Sequence, residues 1–72
     1  MALDGGLDGL INIIKVIEKS SKLLKKNGKL IIEIAYDQKD EVRKMLNLRG
    51  FFINKIIKDY AQNDRCIICT KL

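Results

Sequence analysis

Leu10, Ile13, Ile14, Ile17 and Leu24 fall on one stripe at 3.6-residue spacing, which predicts an amphipathic helix from about Asp8 to Lys26. Asp8 is placed to cap its start, and Asn27-Gly28 to end it. The pattern then changes. From Lys29 to Tyr36 the run Lys-Leu-Ile-Ile-Glu-Ile-Ala-Tyr is apolar at alternate and intervening positions alike, except at Glu33. Such a strand is covered on both faces, so it reads as the central strand of a sheet flanked by helices. Asp37 is the expected cap of a second helix, with Asp40 and Glu41 in the first turn, where acids suit the positive end of the helix dipole. Val42, Met45 and Leu46 supply its buried stripe, and Arg49-Gly50 its stop. Phe51 to Lys58 has strand composition, Ala61-Gln62-Asn63-Asp64 has turn chemistry, and Arg65 to Lys71 reads as a last strand.

The order helix, strand, helix, strand, strand predicts an α/β chain. Its strand-helix-strand middle should be a right-handed crossover, and its last two strands an antiparallel hairpin. Together these make a mixed three-stranded sheet. Both helices flank the same strand in sequence, so both should pack on one sheet face and leave the other bare, with an open edge on the first strand. A bare apolar face of that size is more than a monomer ordinarily tolerates. Residues 1–72 are therefore read as one partial domain. Whatever covers the face lies outside the chain, or a second copy covers it by self-association through the uncovered sheet.

Composition narrows the chemistry. The chain has no His and no Pro. Without His the commonest general base and zinc ligand at neutral pH is gone, which disfavours triad chemistry and most metal hydrolysis. Cys66 and Cys69 form a Cys-x-x-Cys, but they lie in a β-branched strand whose period of two sends them to opposite faces, so two packed, reduced thiols are expected rather than a redox or metal pair. Apolar runs such as Leu30-Ile31-Ile32 are far too short to span a bilayer, and the N-terminus lacks the pattern of a secretory signal, which points to a cytoplasmic location. The net charge of +5 is concentrated in six lysines between Lys15 and Lys29. Lys15, Lys19, Lys22, Lys25 and Lys26 define an alternative function, a small basic module that binds nucleic acid. Recurrence at three or four residues is equally how a helix writes its solvated face, and no aromatic is interleaved to stack on bases.

Three local signatures, in order, carry a family resemblance. Ala2-Leu3-Asp4-Gly5-Gly6-Leu7-Asp8-Gly9-Leu10 resembles the loop that follows the Asn-Pro-Pro-Tyr motif of the HemK/PrmC release-factor glutamine methyltransferases. Leu30-Ile31-Ile32-Glu33-Ile34-Ala35-Tyr36-Asp37-Gln38 is similar to that family's fifth strand and the turn after it. Arg49-Gly50-Phe51, then Asp59-Tyr60 and Asn63-Asp64-Arg65, resemble its closing helix end and hairpin. The resemblance implies the C-terminal part of a Rossmann-like methyltransferase sheet, in which the last strand is wedged between the two before it. It implies a parent enzyme that uses S-adenosylmethionine to methylate glutamine in peptide chain release factors. The chain departs from the family at Ala35, where Gly or another residue usually follows the strand-5 acid, and at Lys26-Asn27-Gly28, where Pro-Gly-Gly is common. It has no Asn-Pro-Pro-Tyr and no Gly-x-Gly-x-x-Gly after a strand, so it is expected to be an inactive fragment that binds no cofactor alone and whose partner is the missing N-terminal part.

The resemblance also nominates a rim for the parent's substrate and cofactor cleft: Asp4, Gly5, Gly6, Asp8, Gly9 and Glu33, with no catalytic residue and no metal ligand among them. Loop and cap chemistry accounts for the first five equally well. Two readings of Glu33 stand side by side, a carboxylate turned toward that cleft and a solvated one beside a lost neighbour. Asp59, Asp64 and Arg65 are expected to form a local ion pair across the hairpin.

Overall fold

The computed structural model describes residues 7–35 and 37–72. Helix α1 runs Leu7–Leu23, strand β1 Lys29–Glu33, helix α2 Lys39–Leu48, and strands β2 and β3 Phe51–Lys58 and Asp64–Lys71. The predicted order of elements stands. Helix α1 ends three residues sooner than its stripe suggested, because the chain must turn back to the sheet. Gly28 N–H donates to Lys25 O at 2.9 Å, and Asn27 sits in the left-handed region at φ 73°. A Cβ on Gly28 would lie 3.0 Å from that same carbonyl, so the turn closes too tightly for a side chain there. At the other end α1 already includes Leu7, so Asp8 lies inside the first turn rather than at the cap.

The second cap also differs. Gln38, not Asp37, occupies the N-cap of α2, and its side chain reaches back instead of forward: Ala35 N–H donates to Gln38 Oε1 at 2.9 Å. Helix α2 stops as expected, with Gly50 at φ 81°, a conformation that other residues adopt only with strain.

The sheet order is β1-β3-β2, and both pairings are antiparallel. The expectation of a mixed sheet and of β1 as a central strand is thus overturned, whereas the open edge expected on the first strand is what forms among the described residues. Strand β3 enters between the other two, so β1 and β2 run the same way without touching, and β1 becomes an edge. Only one face of β1 is sheltered: Ile32 is buried, whereas Ile31 and Glu33 are exposed. An apolar run on both faces is the pattern of a central strand, and here the second cover is not supplied by the described residues.

One core holds the described residues together. Ile17 of α1, Val42 and Leu46 of α2, Ile32 within and Ile34 just after β1, Phe51 of β2, and Ile67 and Cys69 of β3 form a single buried cluster. The register explains the set: Ile32 pairs with Ile67, Leu30 with Cys69 and Ile53 with Cys69, all pointing to the helical side. The intervening pairs point the other way. A bulge at Asn54 keeps Ile53 and Ile56 on the inner face although they are three residues apart.

Candidate functional site

The face opposite the helices carries Ile31 and Glu33 of β1, Cys66, Ile68 and Thr70 of β3, and Phe52, Lys55 and Ile57 of β2, as the cross-strand register dictates. Three of its apolar members are open to solvent, with Ile31 65%, Phe52 56% and Ile57 39% exposed, while Ile68 between them is half-buried. Polar groups gather at one end. Lys29 Nζ donates to Thr70 Oγ1, and Thr70 Oγ1 to Asn54 Oδ1, both at 2.6 Å. The face is therefore an apolar centre with a hydrogen-bonded margin, which is the anatomy of an interaction surface.

Beside it lies the free edge of β1. A cleft of about 260 Å³ opens there between Asn12, Ile13 and Val16 of α1 and Ile31, Ile32 and Glu33 of the strand. Val16 and Ile11 are 49% and 40% exposed although apolar. They sit off the main stripe of α1, and that was the signal in the sequence for a second contact surface on this helix.

Of the nominated rim, Asp4, Gly5 and Gly6 lie outside the described residues, as does Tyr36. Asp8 and Gly9 are in the first turn of α1. Glu33 is the exposed last residue of β1, opposite Cys66, and it shares the cleft with Asn12 from the next turn of α1. Gln38 is not among the residues the sequence nominated. It is 3% exposed in the turn beyond the carboxyl end of β1, and its Nε2 is buried with no hydrogen-bond partner among the described residues. An orphaned buried donor costs about 1–3 kcal/mol.

The two thiols behave as packed groups. Cys69 is buried on the core side, hydrogen-bonds Leu30 O at 3.5 Å, and burial pushes its thiol up to about 11, which leaves it almost wholly un-ionised at neutral pH. Cys66 is half-buried on the outer face. The described residues bring together no group of three potential metal ligands. Asp59 pairs with Arg65, Oδ2 to Nε at 2.8 Å, while Asp64 pairs instead with Lys39 across to α2 at 3.3 Å. Lys15, Lys19, Lys22, Lys25 and Lys26 are all exposed, and none has an ion-pair partner among the described residues.

S-adenosylmethionine needs a nest of backbone donors or a basic group for its carboxylate, and an acid for its ribose hydroxyls. The cleft at the β1 edge offers one carboxylate, one amide and four aliphatic side chains. Those described residues do not fit the cofactor by themselves.

Comparison with known proteins gives the face and edge a context. The chain is 43% identical over 70 residues to a release factor glutamine methyltransferase of Clostridium botulinum, covering 97% of this chain and 25% of that protein. It is 36% identical over 66 residues to one of Agrobacterium fabrum, covering 92% and 23%. A bifunctional methyltransferase of Rickettsia bellii is 37% identical over 67 residues, 93% of this chain and 12% of that protein. No family model matches the chain, and no solved structure matches it significantly. The chain spans about a quarter or less of the length of these curated relatives. No helix among the described residues is long and apolar enough to cross a membrane. A match along nearly all of this chain is repeated in several bacteria: by sequence the chain is similar to about a quarter of a release factor glutamine methyltransferase.

Proposed function

We propose that these 72 residues are the C-terminal part of a Rossmann-like methyltransferase sheet that methylates glutamine in peptide chain release factors, and that they transfer no methyl group by themselves. The observation that carries this reading is the unmatched half of the sheet. An outer face with Ile31, Phe52 and Ile57 open to water lies beside a strand edge with no neighbour among the described residues, in a chain that matches only a quarter of its relatives. The order β1-β3-β2 supports it, because the family resemblance implies a last strand wedged between the two before it.

In this reading the remaining part of the enzyme supplies the neighbour of β1, the cover of the outer face, the cofactor loop and the residues that hold the glutamine. The present chain supplies the rear wall. Glu33 and the turn at Gln38 stand at the carboxyl end of β1, where ligands sit in open α/β sheets, so they are its contribution to the cleft rim.

The experiment is a chimera in which this chain replaces the matching quarter of the Clostridium botulinum relative, assayed with labelled S-adenosylmethionine and a release factor. Labelled glutamine from the chimera and none from the 72-residue chain is the expected result. Methyl transfer by the chain alone, or a folded chimera with no activity beside an active parent, would refute the reading.

A further inference from the structure

We propose that the free 72-residue chain pairs with a second copy of itself, edge to edge through β1, antiparallel about a two-fold axis at Ile31. The backbone allows it. Ile34 N–H donates to Arg65 O and Lys71 N–H to Gly28 O, each at 2.8 Å, so the even-numbered residues of this strand face β3. By alternation the N–H and C=O groups of Lys29, Ile31 and Glu33 point to the open side, unpaired among the described residues.

The side chains select the register. An axis through Ile31 sets Lys29 of each copy directly opposite Glu33 of the other, with Ile31 against Ile31. Both charged residues are exposed, and neither has an ion pair within the described residues. Moving the axis by one residue sets Ile31 against Lys29 or against Glu33. Moving it by two sets Lys29 against Lys29 or Glu33 against Glu33. Charges on an edge strand usually discourage pairing; here their symmetric spacing makes the edge complementary to itself. The exposed Val16 and Ile31 that border the adjoining cleft gain cover from the partner strand.

The same edge meets a neighbouring strand in the proposed enzyme, so self-pairing belongs to the chain when that neighbour is absent. Its failure would leave the chimera assay unaffected.

Sedimentation equilibrium of the chain tests the pairing. A reversible monomer–dimer equilibrium is expected, weakened about tenfold or more by Glu33→Lys and likewise by Lys29→Glu, since each places like charges opposite one another. The double exchange Lys29→Glu with Glu33→Lys restores the wild-type constant. Circular dichroism confirms that these exposed positions leave the fold intact. A monomer up to on the order of 1 mM, indifference to either reversal, or no recovery in the double exchange overturns the proposal. So does association that Phe52→Lys abolishes while Glu33→Lys does not, which would mean that the outer faces stack.

Discussion

Asp59 shows how much one side chain can organise. Its Oδ1 accepts from the N–H groups of Ala61 and Asn63 at 2.9 and 3.0 Å, and its Oδ2 accepts from Arg65, so a single carboxylate closes the β2–β3 connection. The guanidinium of Arg65, and then the Asn63 N–H, hold its pKa below the ordinary 3.8. A depressed carboxylate stabilises the fold above its unfolded pKa, and that contribution fades as pH falls through the lower folded value. Asp59→Ala should therefore lower the melting temperature at pH 7, and the gap from wild type should narrow below about pH 4. A gap of constant size from pH 7 to pH 2.5 would show that the ionised form plays no part. The sequence disclosed Asp59 and Arg65 as partners but not Asp64 with Lys39, because that contact depends on where α2 sits above the hairpin and no local spacing encodes it.

The elements depend on a core that few residues fill. Leu46 is fully buried on α2, two residues before Leu48, which is 78% exposed. Leu46→Ala should cost about 3 kcal/mol by urea unfolding, most of the stability at the low end of the range for a chain of this size, whereas Leu48→Ala should stay within about 0.5 kcal/mol. Equal effects would mean that α2 packs by another face. Existence and type of every element were legible in the residues: the stripe from Leu10 to Ile17, the β-branched run from Cys66 to Cys69, and the turn chemistry at Gln62-Asn63 each matched what forms. The place of β1 was legible only in part: the open edge on the first strand forms, but the apolar run Leu30-Ile31-Ile32 declares cover on both faces, and the described residues supply it on one. Gln38 displaced Asp37 at the second cap because the amide reaches back to Ala35 N–H, a contact that cap preferences do not encode. Of the cleft rim, only Glu33 reached a cleft among the described residues, and its neighbours there, Asn12 and Val16, come from a helix face that the dominant stripe concealed.

At the scale of the whole molecule, two features share one cause. The outer face is apolar where water meets it, and the edge of β1 carries unpaired backbone groups; both are surfaces that a larger sheet would hide. Phe52 reports on that most directly, being 56% exposed in this chain. The deciding measurement is the stability of Phe52→Lys in the free chain and in the chimera, by urea unfolding. In the free chain it should change stability by no more than about 0.5 kcal/mol, and in the chimera it should cost on the order of 3 kcal/mol, because there the lysine is buried without a partner. A substitution equally harmless in both would contradict the claim that this face is made to be covered.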